Sequence, residues 1–277
     1  MCRWLAYSGS SLPIEYLVSR PANSLIHQSR ESAMGATALN ADGFGVGWYA
    51  PNDPVPGLFR SVQPAWADAN LEEMARHVHS SLFVAHVRAT TGTPVQQTNC
   101  HPFRHENWLW AHNGAVREFA TVKRDLVMAV DPALFPAIVG STDSEVLFHL
   151  ALTFGLQDDP VTAVERMIGF VEQVGRAHGV ELPLQMTVVT TDGGRVWAFR
   201  YSSEGRSRTL YYSALVTTVR ELHPELEILR EVSDETRIIV SEPLSDLSGA
   251  WVEVPESHYG IVQEGQDVLA PLVPRLP

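Results

Sequence analysis

The chain has 277 residues, of which 45% are hydrophobic and 19% charged, which is typical of a globular protein with a substantial core. Its net charge of −12 argues against a nucleic-acid partner, since no basic patch is available for a phosphate backbone. The sequence contains neither a membrane-spanning apolar run nor a secretion signal, and its two cysteines are too few for a disulfide framework, so we expect a cytoplasmic protein that binds no membrane.

The first half of the sequence predicts short strands separated by loops. Residues 2–8 are rich in strand formers, and a strand there would hold Cys2 rigidly in a sheet. The strands predicted to follow are Phe44–Ala50, Leu82–Arg88 and Trp108–Ala111. The last of these is expected to end at an Asn113-Gly114 turn. The segments between them are predicted as a helical turn at 13–19, a loop at 22–43, a turn-rich excursion at 51–57 and a helix at 71–79.

Two glycines lie inside the predicted strand at 44–50. Glycine weakens a strand because it offers no side chain to pack, so its presence needs another cause. Gly45 and Gly47 therefore indicate a bulge or the close approach of another backbone.

The second half predicts two helices followed by an all-β region. The stretch 141–145 has good N-cap chemistry and opens a helix that runs to Leu152, and apolar spacing predicts a second helix at 160–177. Later strands are predicted at 184–191, 195–201, 209–213, 236–240, 251–254 and 259–262, with an irregular tail at 270–277. This order favours a single α+β domain over 1–277, with helices on antiparallel sheets. The pattern leaves the number of sheets open.

Cys2 directly follows the initiator methionine. If Met1 is removed, one residue carries both a thiol and a free α-amino group. Such an amine titrates near ~7.7–8.0 and can act as the base for its own thiol. By position alone, a chance cysteine is the favoured explanation of Cys2.

Three further sites have polar groups where predicted strands end or a predicted helix begins. The guanidinium of Arg88 suits a carboxylate, although an arginine at a strand end can also reach into solvent. Asn113 and Gly114 could supply oxyanion-hole donors, or form an ordinary turn. Asp143 could hold a substrate ammonium group, or cap the helix that begins there.

These residues lie in motifs that occur in one fixed order. They are Cys2 after Met1, NADGFGVGWY at 40–49, AHVRATTG at 85–92, HPF at 101–103, AHNG at 111–114 and STDSE at 141–145. Together they resemble the class II glutamine amidotransferase (glutaminase) domain of the N-terminal nucleophile hydrolases. The sequence is especially similar to the short stand-alone members, which include the γ-glutamyl hydrolases of ergothioneine biosynthesis. The motifs cover residues 2–145, about half the chain.

The resemblance implies a four-layer αββα sandwich of two antiparallel sheets, which residues after 145 would complete. It implies Cys2 as nucleophile with its freed α-amine as base, and Asn113 with Gly114 as the oxyanion hole. Arg88 would bind the α-carboxylate of the substrate, and Asp143 its α-ammonium.

The resemblance extends to two glycine-containing loops. Gly43 would be a structural residue on the glutamine-side loop. Thr91 would be a substrate-side residue, because it keeps its place in the familiar R-x-x-T-x-G pattern. The glycine of that pattern comes one residue early here, as Gly92.

The implied activity is hydrolysis of a γ-glutamyl amide through a γ-glutamyl thioester, with no cofactor and a small-molecule substrate. A glutaminase subunit that supplies ammonia to a separate synthase is the alternative, and a homo-oligomer or a synthase partner stays open. A binding module would be expected to lack one of the site residues, and none is missing.

The eleven histidines raise a third possibility, a metal hydrolase. The pairs His77/His79 and His101/His105 have spacings found in metal sites, but carboxylate companions are not arranged around them. We therefore expect no metal ligands, and expect the other cysteine, Cys100, to be a packed thiol.

Overall fold

The computed structural model of the chain describes residues 2–34, 39–90, 92–226 and 228–277. The strands of the described chain are β1 (Arg3–Pro13), β2 (Phe44–Trp48), β3 (Gly57–Ser61), β4 (His79–Val87), β5 (Phe103–His105), β6 (Trp108–Val116), β7 (Leu184–Thr191), β8 (Val196–Ser202), β9 (Tyr211–Ser213), β10 (Arg237–Val240), β11 (Trp251–Glu253), β12 (His258–Val262) and β13 (Val268–Pro271). Its α-helices are α1 (Glu15–Val18), α2 (Leu25–Arg30), α3 (Ala69–His77), α4 (Phe119–Met128), α5 (Asp143–Thr153), α6 (Pro160–Ala177), α7 (Val216–Leu222) and α8 (Ile228–Glu231). Among the described helices, none has the length and apolar character needed to cross a membrane.

The first sheet has the strand order β11-β9-β10-β1-β4-β2-β3, and its pairs are antiparallel. The N-terminal strand β1 therefore lies inside the sheet, between β10 and β4. Arg3 is opposite Val87, and Phe44 is opposite the same Val87 from the other side. The residues just before β1 and β2 and just after β4 consequently meet at one end of the sheet.

The second sheet has the order β13-β12-β8-β7-β6-β5 and is also antiparallel. Both sheets contain strands from before and after residue 145. The first draws β9, β10 and β11 from the later part of the chain, and the second pairs β6 with β7.

Three apolar clusters define four layers. One lies between α1–α3 and the first sheet, and another between α4–α6 and the second sheet. The third joins the two sheets, with Trp4, Ala6 and Val84 of the first against Leu109 and Ala111 of the second. This αββα arrangement confirms the predicted α+β class and the implied sandwich of two antiparallel sheets.

The predicted turn at Asn113-Gly114 is wrong. Strand β6 continues through both residues to Val116, with Asn113 opposite Thr187 and Gly114 opposite Met186. The dipeptide alone favours a turn, but in the folded sheet its residues pair with β7. This pairing outweighs the local turn preference. The predicted bounds of the helix at 160–177 and the strand at 184–191 are confirmed.

Several elements fall in segments for which no helix or strand is predicted. Helix α2 lies inside the predicted loop at 22–43 and begins with Ser24, whose hydroxyl accepts a hydrogen bond from the His27 N–H over 3.2 Å. Strand β13 includes residues 270 and 271 of the tail predicted to be irregular, because it pairs with β12. The other such elements are β3, β5, α4, α7 and α8.

Gly45 and Gly47 are explained by close neighbours. A Cβ atom at Gly45 would lie 2.2 Å from the backbone oxygen of His101, and one at Gly47 would lie 2.8 Å from the Leu109 side chain. The close backbone approach predicted for this strand is confirmed at Gly45.

We expect Gly45→Ala to lower the free energy of unfolding by about 1–3 kcal/mol, because the added methyl group must displace the His101 backbone. Gly194→Ala is the matched control, since its nearest neighbour would be Asp192 Oδ1 at 3.6 Å, an ordinary contact. The control should stay within about 0.5 kcal/mol of the wild type. Urea unfolding of the three proteins measures both effects, and equal midpoints would contradict the expectation.

Candidate active site

Cys2 lies at one end of the space between the two sheets. Side chains alternate along a strand, so Cys2 shares a face with Trp4 and Ala6, which pack between the sheets. Arg88 is the residue directly after β4. By the same alternation, it lies on the same face as Val84, which packs between the sheets. The register that puts Arg3 opposite Val87 brings Cys2 beside Arg88, and Cys2 Sγ donates to the carbonyl of Ala89 over 3.6 Å.

Arg88 is buried, with 2% of its surface exposed. Its guanidinium donates to Thr93 Oγ1 over 2.6 Å, to Thr90 Oγ1 over 3.3 Å and to the Asp42 carbonyl over 3.4 Å. All three acceptors are uncharged. Within the described residues no carboxylate forms an ion pair with Arg88, whereas buried charges are normally paired. The guanidinium is therefore able to accept an anionic ligand.

Asn113 comes from the second sheet and faces the first. Asn113 lies on the same face of β6 as Leu109 and Ala111, which pack between the sheets, and 2% of its surface is exposed. Trp4 Nε1 donates to Thr187 Oγ1 over 3.3 Å, and Thr187 is the strand partner of Asn113. This contact ties the strand of Cys2 to the strand of Asn113.

Gly114 leaves no room for a side chain. A Cβ atom there would lie 1.9 Å from the Gln185 carbonyl oxygen and 2.6 Å from His112 Nε2. The position therefore demands glycine for reasons of packing.

Asp143 is the first residue of α5 and is half-buried. Its carboxylate accepts hydrogen bonds from the Val116 N–H over 2.7 Å and from the Ser144 N–H over 2.8 Å. Thr142 is the N-cap, since its side chain accepts from the Glu145 N–H over 3.2 Å. Asp143 is thus held against the end of β6 that carries Asn113, and the capping role falls to its neighbour.

The segment before β2 joins the site through Arg88. The Arg88 N–H donates to the Gly43 carbonyl over 2.8 Å, and the Asp42 carboxylate accepts from the Thr90 N–H over 2.8 Å. Gly43 has φ 108°, and a Cβ atom there would lie 2.6 Å from Cys100 Sγ. Thr91 lies outside the described residues.

The two thiols differ in surroundings. Cys2 is half-buried, and burial raises the pKa of its thiol because the thiolate is less well solvated there. A neutral thiol needs a base before it can act as a nucleophile. Cys100 is fully buried beside Gly43, where Sγ donates to the Ser61 carbonyl over 3.4 Å.

Two supporting contacts were not anticipated from the sequence. Arg3 and Glu242 form a buried ion pair next to Cys2, with 2.8 Å between Nε and Oε2. The Ser144 hydroxyl lies 2.8 Å from His112 Nδ1 and 3.3 Å from Asp143 Oδ1. Arg3 is visible as a neighbour of Cys2, but Arg3 and Glu242 are 239 positions apart in the sequence, so no local pattern could indicate the ion pair.

Three histidines near Arg88 are buried and neutral. Burial lowers the pKa of His86 to about 3, with a further contribution from the Arg88 charge, and burial also lowers the pKa values of His101 and His112. The rings of His86 and His101 contact each other with 4.2 Å between centroids and are tilted by 30°. Among the described residues no group of three or more His, Cys, Asp or Glu side chains is placed to hold a metal ion.

A cavity of about 480 Å³ lies elsewhere, on the helix-covered side of the first sheet. Its lining is largely apolar and includes Leu12, Val219 and Leu244. None of the candidate site residues lines it.

The chain is similar to known proteins in sequence and in fold. The family model of the class II glutamine amidotransferases matches residues 21–275. The chain is 29% identical to the probable glutamine amidotransferase DUG3 of Saccharomyces cerevisiae, over 99% of this chain and 85% of that protein. It is 26% identical to the gamma-glutamyl-hercynylcysteine sulfoxide hydrolase of Mycolicibacterium smegmatis, over 98% of this chain and 100% of that protein.

Solved structures agree. A glutamine aminotransferase class-II domain protein from Silicibacter pomeroyi superposes with a TM-score of 0.74 and 31% identity, covering 99% of this chain and 100% of that one. The glutamine phosphoribosylpyrophosphate amidotransferase of B. subtilis shares the fold alone, with a TM-score of 0.64 and 16% identity. This chain covers 50% of that enzyme.

The buried histidines should make stability depend on pH. Their pKa values are lower in the folded chain than in the unfolded one, so acid protonates the unfolded chain first and stability falls as pH drops below about 6.5. At pH 5.5 the cost for His86 is about 1.4 kcal/mol. We expect His86→Gln to weaken the pH dependence of the free energy of unfolding between pH 7 and 5.

Urea titrations at several pH values measure how the free energy of unfolding changes with pH. The matched control is His79→Gln in the same strand, where the imidazole is exposed and solvated in both states. If the free energy of unfolding depended on pH equally in the His86 variant and in the wild type, His86 would take up a proton as readily in the folded protein as in the unfolded chain. That result would contradict the expectation.

Proposed function

We propose that this chain, which belongs to the class II glutamine amidotransferase family, hydrolyses a γ-glutamyl amide bond through a thioester on Cys2. An enzyme of this family acts on the carbon–nitrogen bond of an amide.

The observation that carries the proposal is the buried, unpaired charge of Arg88. Three neutral oxygens hold the guanidinium in one orientation, and no described carboxylate neutralises it. The carboxylate of an amino acid would supply the missing charge in a bidentate pair. Because Cys2 is adjacent across the sheet, such a ligand would lie with its side chain near the thiol.

Asp143 supplies the complementary charge. Its carboxylate accepts hydrogen bonds from two backbone N–H groups. Because the residue is half-buried and a carboxylate has further lone pairs, it can also accept a hydrogen bond from an ammonium group. A free amino-acid head carries one anion and one cation. Arg88 and Asp143 together would grip both charges and orient the γ-carbonyl toward Cys2.

The raised pKa of the Cys2 thiol creates the need for a base. Once Met1 is removed, the α-amine of Cys2 would take the thiol proton as sulfur bonds to the carbonyl carbon of the γ-glutamyl amide. The Asn113 amide and the Gly114 N–H would stabilise the oxyanion. The carbon–nitrogen bond then breaks, and the amine leaves with the proton held by the base.

The remaining γ-glutamyl thioester would be hydrolysed by water. Attack by water on the thioester carbon breaks the carbon–sulfur bond, releases glutamate and returns the proton to Cys2. No cofactor enters either half of the reaction. The whole chain would act as one domain, with residues after 145 completing both sheets.

We favour a hydrolase over a subunit that delivers ammonia. The mycobacterial relative aligns over its full length and is named for hydrolysis of a γ-glutamyl compound. A self-contained hydrolase would release glutamate without a partner protein. A glutaminase subunit would instead gain activity when its synthase is added.

We expect Cys2→Ser to lower turnover by at least about 10³-fold, because the hydroxyl is a far weaker nucleophile than the thiol. Cys100→Ala should retain most of the activity, since Cys100 is buried beside Gly43. Glutamate release from glutamine and from a panel of γ-glutamyl amides measures both.

The same samples need two checks. Intact mass reports whether Met1 has been removed, and a glutamine-analogue electrophile should label Cys2 in the processed protein alone. Equal turnover by the wild type and the Cys2 variant across the panel would refute the proposed nucleophile.

We expect Arg88→Lys to reduce kcat/KM for a γ-glutamyl amide by about 10- to 100-fold, because lysine keeps the charge but loses the bidentate geometry. An amide substrate that lacks the α-carboxylate should be affected much less. Arg124→Lys is the control, since 86% of that side chain is exposed. Equal losses on both substrates would show that Arg88 does not bind the carboxylate.

A further inference from the structure

A buried ion pair adjoins the nucleophile position. Arg3 and Glu242 are each 1% exposed, and Arg3 Nε donates to Glu242 Oε2 over 2.8 Å. Burial alone would raise the pKa of Glu242, but the hydrogen bond and charge of Arg3 outweigh it and leave the pKa below its usual value. The pair is therefore charged.

Arg3 uses its whole guanidinium fork. Besides Glu242, it donates through Nη1 to the backbone carbonyl of Cys2 over 2.9 Å. Through Nη2 it donates to Ser32 Oγ over 2.5 Å and to the Met34 carbonyl. One of these acceptors is on the Cys2 backbone, and two are in the segment 32–34.

Glu242 binds the same segment from the other side. Its carboxylate accepts hydrogen bonds from Ser32 Oγ over 2.9 Å and from the backbone N–H groups of Ala33 and Met34, each over 3.1 Å. It also accepts from Asn23 Nδ2 over 3.2 Å. The ion pair thus joins three parts of the chain: the start of β1, the segment 32–34 and the second residue after β10.

The cost of burying two charges indicates why such a network would be kept. A buried ion pair seldom stabilises a protein more than apolar residues of the same shape would. What apolar residues cannot supply is the set of directed hydrogen bonds to Cys2 and to residues 32–34. The pair is therefore better explained by the arrangement it fixes than by stability.

We propose that Arg3 and Glu242 are positioning residues that hold the backbone of Cys2 and the segment 32–34 in one fixed arrangement. This inference rests on the proposed function, because the arrangement directs the thiol and the α-amine of Cys2 toward the γ-carbonyl. Neither residue contacts the reacting atoms. They act through the Cys2 carbonyl and through the segment beside it.

The test compares Arg3→Lys and Glu242→Gln with a matched control. Lysine keeps the charge of Arg3 but cannot reach the separate acceptors of the planar fork. Glutamine keeps the shape of Glu242 but turns one acceptor oxygen into a donor that faces other donors. Arg237→Lys is the control, because Arg237 also pairs through Nε with a carboxylate, Asp267, over 2.6 Å and lies in the same sheet.

We expect both variants to lose about 10- to 100-fold in kcat on a γ-glutamyl amide, with KM changed less than about threefold, because Arg88 and Asp143 still bind the substrate. The control should keep the kcat of the wild type. In the double variant the losses should not multiply, since each change breaks the same pair. Glu242→Asp should restore part of the activity.

Hydrogen exchange provides a readout that does not depend on substrate. The amides of Ala33 and Met34 should exchange at least about tenfold faster in either variant than in the control, because Glu242 is their acceptor. Faster exchange with unchanged kcat would overturn the positioning role, and so would unchanged exchange. If the wild type hydrolyses nothing in the panel, the proposed function fails, and the exchange rates alone decide whether the arrangement is held by the pair.

Discussion

The antiparallel pairing of β1 with β4 is the constraint on which the site depends. It places Arg3 opposite Val87, and hence Cys2 beside Arg88. Because side chains alternate, a slip of one residue would turn Cys2 away from the space between the sheets. The same strand β4 pairs with β2 on its other side, so the Gly43 carbonyl accepts from the Arg88 N–H. One register thus sets the relative positions of the thiol, the guanidinium and the loop before β2.

The packing of the two sheets adds the remaining groups. Small and large apolar side chains, among them Ala6 and Trp4, fill the space between sheets that stand about 10 Å apart. The Trp4 indole also donates to Thr187, the partner of Asn113 in the neighbouring ladder. Asn113 therefore faces the side on which Cys2 lies. Burial there also raises the pKa of the Cys2 thiol, and the proposed α-amine base would overcome this by taking the thiol proton.

Local patterns were sufficient for the parts of the fold that depend on local chemistry. Helical periodicity identified α6 and the β-rich composition after α6 identified β7, both with correct bounds, and the order of motifs indicated the family and hence the two-sheet sandwich. The Asn113-Gly114 turn failed because its dipeptide signal is local, whereas the ladder with β7 comes from residues more than 70 positions away. The Arg3–Glu242 pair could not be predicted for the same reason. Even a correct list of site residues would have missed what holds them in place.

Two buried arginines at the same end of the β1–β4 pairing show how partners decide a role. Arg3 and Arg88 have the same chemistry and nearly the same burial, 1% and 2% exposed. Arg3 is fully used by the chain itself, with a carboxylate and three further acceptors. Arg88 has only neutral partners within the described residues, so its charge lacks the compensation that burial demands. The first arginine is therefore suited to holding the protein in shape, and the second to holding an anion that the protein does not supply.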